Sequence, residues 1–315
     1  MNHARGTIDC DVTPQFTAAY LRTAGEECAF IETHTSHAVP KLVAALEAAG
    51  RRPEDVRWVV VTHAHLDHAA GASALMQRCP RATLLAHPRA ARHLVDPAKL
   101  VASATAVYGA ERFAQLYGTI EPIAAERVRA LEDGDRFDLG DASLQVFHTA
   151  GHANHHFVVH DPRLDELYTG DSFGLVYPAI QQHGRFALAS TSPTNFDAIE
   201  AHKSLTRIVD LRPERVCLTH YDAYADVEQI ASQVRAWVDR AEAWVDEAAR
   251  GDEPVEAMAT RLTQAWRSAV AEESSRRGLG FSEAAFRVLS LDLELNAQGL
   301  AFVAAARRAK AVKPD

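Results

Sequence analysis

Three histidines and an aspartate fall within six residues, His63-Ala64-His65-Leu66-Asp67-His68, directly after the apolar run Val59-Val60-Val61 and Thr62. No other stretch limits the fold as tightly. The β-branched run reads as a buried strand, and a helix-like segment follows from Ala69. Donors placed where a strand stops sit on a loop held by a rigid element, free to converge on one point. Imidazole suits zinc, iron and similar ions, and the carboxylate adds a harder oxygen. A polar turn that happens to be His-rich is the plainer reading; the density of donors favours a metal.

Three more candidate donors end short apolar runs downstream. His152 follows Leu144-Gln145-Val146-Phe147 and the turn Thr149-Ala150-Gly151. Asp171 follows Leu167-Tyr168-Thr169-Gly170, and His220 follows Val216-Cys217-Leu218-Thr219. His-x-His-x-Asp-His with these three in this order resembles the metal motif of the metallo-β-lactamase fold superfamily.

The resemblance implies a four-layer αββα sandwich with two divalent metal ions, zinc in the first place and iron or manganese as alternatives. Position by position, it gives His63, His65 and His152 to one ion and Asp67, His68 and His220 to the other. Asp171 bridges the two. Five neutral imidazoles and two carboxylates would leave two divalent ions a net charge near +2. That suffices to hold a hydroxide, since a bound metal lowers the pKa of water from about 16 to about 7. Asp67 and Asp171 are therefore the catalytic candidates.

Within the superfamily, true β-lactamases lack the aspartate bridge, so Asp171 argues against penicillin hydrolysis. His65 argues against the diiron oxygen-reducing branch, which carries Glu there. The resemblance is to metal-dependent hydrolases, such as those of the glyoxalase II type, acting on an ester, thioester or lactone through a metal-bound hydroxide. The alternatives are a mononuclear-iron sulfur dioxygenase, a phosphodiesterase, or a metal-bearing regulatory protein with little turnover. One departure is plain. The family's second strand usually ends Asp-Thr-Gly, whereas this one ends Glu32-Thr33-His34, with His34 expected to face solvent.

Other residues carry weaker signals. Residues 171–193 are aromatic and irregular, and Tyr177 and His183 are candidates for a substrate pocket. Tyr177 could donate to an oxyanion, with ordinary aromatic packing as the alternative; its offset from Asp171 differs from that in lactonases. His155 and His156 either support a ligand or start a strand. His87 and His93 are not expected to be ligands, and Asp135 and Asp141 read as turn residues.

Composition sets limits. The 315 residues, 47% of them hydrophobic, allow one large domain with an addition. The formal charge of −9 leaves no overall basic footprint for nucleic acid. No apolar run approaches the ~20 residues of a membrane span, and the start lacks a signal-peptide core. Cys10, Cys28, Cys79 and Cys217 form no Cys-x-x-Cys pair and read as thiols in a cytoplasmic protein. The expected partner is a small-molecule substrate, with no nucleic acid and no membrane, and a homodimer is left open.

Along the chain, residues 7–33 read as two strands. Helices are expected at 40–49, 88–95, 97–117 and 196–210, the last capped by Thr194 or Asn195. After Tyr221 three amphipathic helices follow, near 227–245, 255–270 and from 282 onward. Residues 1–222 are read as the catalytic domain and 223–315 as a helical region packed on it. Trp237, Trp244 and Trp266 must be buried on that domain, on one another, or across a dimer interface.

Overall fold

Strands that are apolar on both faces and strands that alternate divide the work in the first of two units. The computed structural model describes residues 2–10, 13–191 and 195–312. Its contacts divide the chain into one unit of Met1–His148, His155–Gly170 and Arg212–Ala225, and a second of Thr149–Asn154, Asp171–Leu211 and Asp226–Asp315. The second unit thus takes in more than the helical region expected after residue 222.

The first unit holds two six-stranded mixed sheets. One runs β1 (His3–Asp9), β2 (Ala18–Ala24), β3 (Glu27–Ile31), β4 (Val56–Val60), β5 (Thr83–Ala86) and β6 (Val128–Ala130), in chain order across the sheet. The other has β7 (Arg136–Leu139), β8 (Ala142–His148), β9 (Phe157–Asp161), β10 (Glu166–Gly170), β11 (Arg215–Leu218) and β12 (Asp222–Tyr224), again in sequential order. β3, β4, β5 and β6 are mutually parallel, and the inner ones are buried on both faces, which is why they read as unbroken apolar runs. β1 was not anticipated. Its polar, half-buried side chains give no apolar signal, and it is held by antiparallel pairing along the whole of β2.

Helices α1 (Val39–Ala48), α2 (Leu66–Ala69), α3 (Ala72–Arg78), α4 (Pro88–Val95), α5 (Ala98–Tyr108) and α6 (Ala110–Tyr117) complete this unit. Leu42 and Leu46 of α1 and Leu75 of α3 pack with Phe30, Val59 and Leu84 of the first sheet in one core. Each such buried side chain contributes about 1.5–3 kcal/mol. The single helix expected over 97–117 is two, separated at Gly109. Across the sheets, the buried Arg22 of β2 pairs with the buried Asp161 of β9. These are the two sheets and flanking helices of the α/β class that was expected.

The second unit contains α7 (Ala198–Asp210), α8 (Val227–Arg250), α9 (Val255–Arg276) and α10 (Glu283–Val312). The cap of α7 is Asp197, whose carboxylate accepts from Glu200 N at 3.0 Å, rather than Asn195; Thr194 lies outside the described residues. The tryptophans meet one another: the Trp266 ring lies 5.4 Å from Trp237 and 5.0 Å from Trp244. By length and composition α10 could cross a bilayer, contrary to the expectation that no run was long enough. Half of its apolar window is buried, as in the core helix of a packed unit.

Candidate metal centre

The ligand loop begins where β4 is tied to its neighbours. Val61 N donates to Leu85 O at 3.1 Å, and Thr62 O accepts from Phe157 N of β9 at 3.0 Å. With its start fastened to both sheets, the next turn is placed by rigid backbone. His65 O then accepts from His68 N and Ala69 N, closing the short α2. The imidazoles of His63, His65 and His68 are consequently crowded, with the His63 ring 4.4 Å from His65 and 4.0 Å from His68.

Asp67, His68 and His220 bring one donor atom each within 4.8 Å of the others. His68 Nε2 lies 3.6 Å and His220 Nε2 3.5 Å from Asp67 Oδ2. Two imidazoles and a carboxylate aimed at one point are the donor chemistry of a divalent ion, and the set fits one. The Asp67 side chain is 45% exposed, so this cluster has an open side.

Beneath it lies Glu32, a residue to which the sequence reading gave no role. It is 1% exposed and has a left-handed backbone, φ +70°. Its Oε1 accepts from Thr62 Oγ1, and Thr219 Oγ1 donates to the same oxygen at 3.5 Å. His68 Nδ1 lies 3.2 Å away from it. One carboxylate therefore gathers the residue before His63, the residue before His220, and His68 itself. The Glu32 charge thus lies beside the His68 ring. Thr62 Oγ1 also reaches His63 Nδ1 at 3.1 Å; since that hydroxyl donates to Glu32, the ring nitrogen is the donor, leaving His63 Nε2 for a metal.

The second unit holds His152 and Asp171, whose Nε2 and Oδ2 are 3.6 Å apart. Each follows a glycine with no room for a side chain. At Gly151, φ +121°, a Cβ would sit 2.4 Å from the Ala201 backbone. At Gly170 in the first unit, φ +49°, it would sit 2.5 Å from both His156 Nε2 and Thr62 Oγ1. Ser190 touches both ligands: its hydroxyl donates to Asp171 Oδ2 at 3.1 Å, and its carbonyl lies 3.2 Å from His152 Nδ1.

The remaining candidates fall elsewhere. Tyr177 is 1% exposed and its hydroxyl donates to Asp292 Oδ1 at 3.1 Å, so packing and this bond account for it and an oxyanion role does not. His183 is exposed. His34 is half-buried rather than in solvent, its Nδ1 accepting from Thr35 N at 2.7 Å. His156 is buried with its ring 4.8 Å from His63, while His155 stacks beside His63 at 6.1 Å. His87 caps α4 by accepting from Arg89 N, and burial pushes its pKa down to about 3. Asp135 and Asp141 are turn residues, Asp135 accepting from Glu132 N and Asp141 pairing with His3 at 2.9 Å. Tyr117 ends α6 and packs against Phe113, the ring centroids 5.4 Å apart. Burial first, and then the Asp67 charge, hold its hydroxyl well above the usual phenol range.

Comparison with known proteins agrees with this fold. A sequence model of the metallo-β-lactamase superfamily matches residues 12–220. The metallo-β-lactamase fold-containing protein ST1585 of Sulfurisphaera tokodaii is 30% identical over 167 residues, 52% of this chain. That alignment spans only 59% of ST1585. In structure, ST1585 superposes with a TM-score of 0.65 at 21% identity, over 95% of this chain and 99% of that one. The metallo-β-lactamase family protein TTHA1429 of Thermus thermophilus gives 0.62 at 18% identity, over 98% and 94%. The B3 metallo-β-lactamase BLEG-1 gives 0.56 at 18% identity, over 74% of this chain and 99% of its own; at these identities the likeness is one of fold.

Proposed function

Since the chain belongs to the metallo-β-lactamase superfamily, we propose that it is a dinuclear metal-dependent hydrolase of a small ester, thioester or lactone. In this reading His63, His65 and His152 would hold one ion and Asp67, His68 and His220 the other, with Asp171 available to both. Zinc is the first choice of metal. The observation that carries the reading is the Asp67–His68–His220 donor group, with His68 Nδ1 3.2 Å from the buried Glu32 carboxylate.

When bound, such ions supply an acidified water and a Lewis acid for the carbonyl oxygen. The protein's own part is positional. Thr62 fixes which nitrogen of His63 is free, and Glu32 sets a negative charge beside His68. Asp67, on the open side, can accept a proton from the attacking water. Four buried cysteines, with burial raising Cys28 and Cys79 to about 11, fit inert thiols and a cytoplasmic setting.

The test is metal analysis of purified protein, followed by a panel of thioesters, lactones, phosphodiesters and a β-lactam. Two ions per chain with turnover of a carboxylic ester class is the expected result. One iron per chain in fully active protein would overturn the dinuclear reading, and preference for phosphodiesters would overturn the substrate class.

A further inference from the structure

The bonds around Ser190 do not end at the ligands. On one side of it, Ala189 O accepts from Asn296 Nδ2 at 2.8 Å; on the other, Thr191 N donates to Asn296 Oδ1 at 2.7 Å. Thr191 Oγ1 adds a bond to the Asn296 carbonyl at 3.3 Å. One side-chain amide of α10 thus satisfies the backbone on both flanks of the residue that touches His152 and Asp171. Asn296 is 1% exposed and lies between Leu293 and Leu300, both core residues of the same helix. An amide in such a place costs free energy unless every donor and acceptor is paired, and here the partners are backbone atoms of one short segment.

The same segment is fastened at more than this point. Gln181 ties its own turn by donating to Tyr177 O and Phe186 O and accepting from Phe186 N. Gln233 of α8 accepts from Ala187 N at 3.0 Å and donates to Arg185 O at 3.1 Å. Among these fastenings Asn296 alone grips the residues next to Ser190. The aromatic side chains of the segment are buried: Phe173, Tyr177 and Phe186 all point into the unit. These three side chains therefore serve as scaffold for the segment.

We propose that Asn296 is a positioning residue for the metal centre. By fixing Ala189 and Thr191 it sets where the Ser190 hydroxyl and carbonyl point. These in turn orient the Asp171 carboxylate and select the His152 tautomer with the proton on Nδ1, leaving Nε2 as the ligand atom. The C-terminal helix thereby acts on the metal ligands through a chain of three residues. The inference rests on the metal-centre reading above.

Titration of the apo protein with Co²⁺, followed by visible absorption, and with Zn²⁺, in competition with a chelator, tests it. Ser190→Ala and Asn296→Leu should each weaken binding of one ion by about ten-fold or more, the range for outer partners of a metal ligand. The double variant should be no weaker than the worse single one, because both act along one path. Ser190→Thr keeps the hydroxyl and should restore affinity. Leu300→Ala, a cavity in the same helix, should lower thermal stability and leave Co²⁺ affinity and spectrum unchanged. Parental affinity in Ser190→Ala overturns the proposal even if Asn296→Leu fails to fold. Additive losses in the double variant, or an equal loss in Leu300→Ala, overturn it too. A parent chain that binds neither ion rejects the metal reading itself, whereas a binding parent with unaltered variants rejects only the positioning role.

Discussion

The two units carry their donors in opposite ways. In the first, four of five sit on one turn at the end of β4, and Glu32 braces that turn together with the approach to His220. In the second, His152 and Asp171 lie in separate segments and depend on Ser190, itself held from α10. A contiguous turn brings its donors together by local geometry. Scattered donors need a long-range support, and such support leaves no mark near the ligands in the sequence.

Ligand removal puts the largest strain on that contrast. His68→Ala and Asp171→Ala should each lower kcat/KM by more than about 100-fold, beyond the range of outer partners. Metal counting should show Asp171→Ala losing one ion before the other. Retention of both ions in Asp171→Ala would remove the shared carboxylate from the proposal.

Next in size is the brace itself. Glu32→Gln keeps the shape but withdraws the charge beside His68 Nδ1, and metal affinity should fall about ten-fold. Chelator competition measures it. A larger effect from Ser190→Ala than from Glu32→Gln would show that the long-range support matters more than the local one.

Gly151→Ala and Gly170→Ala compare the backbone that precedes the second unit's ligands. Both place a Cβ where none fits, at positive φ, and each should destabilise the chain by at least about 1–3 kcal/mol, read from urea midpoints. A neutral Gly151→Ala would mean that the loop before His152 can yield.

The smallest effect lies away from the metal ligands. The folded pKa of His87 is depressed from 6.5 to about 3 by burial, so the unfolded chain takes up a proton first as pH falls. Stability associated with neutral His87 is complete above pH 6.5 and is lost progressively between there and about pH 3. His87→Asn keeps a cap for α4 but cannot titrate. Its denaturation midpoint should therefore fall less between pH 7 and pH 5 than that of the parent. Equal slopes would reject the assignment.

How much of this was legible follows from the same contrast. The strand before His63, the order of the later donors and the three long C-terminal helices all show in local patterning, because apolar period and strand ends are properties of neighbours. β1 did not show, since pairing along β2 rather than burial holds it. Glu32 was visible only as a departure from the family's usual ending; that its carboxylate collects Thr62, Thr219 and His68 requires three segments to meet. Tyr177 looked like a pocket residue from its nearness to Asp171, but its hydroxyl belongs to Asp292. Asn296, in a helix that reads as plain core, had no signal at all.

The bond from Asn296 to Thr191 spans 105 residues of chain, and a ribosome covers that length in about 5–20 s at ~5–20 residues per second. Through that interval His152, Asp171 and Ser190 already exist without the amide that steadies them. If Asn296 positions the centre as proposed, binding of an ion at full affinity should wait for the last helix. Arrested nascent chains would report this directly: those stopped before residue 283 should bind Co²⁺ less tightly than those carried past residue 312 and clear of the exit tunnel. Equal binding by the two would place maturation of the centre earlier in synthesis.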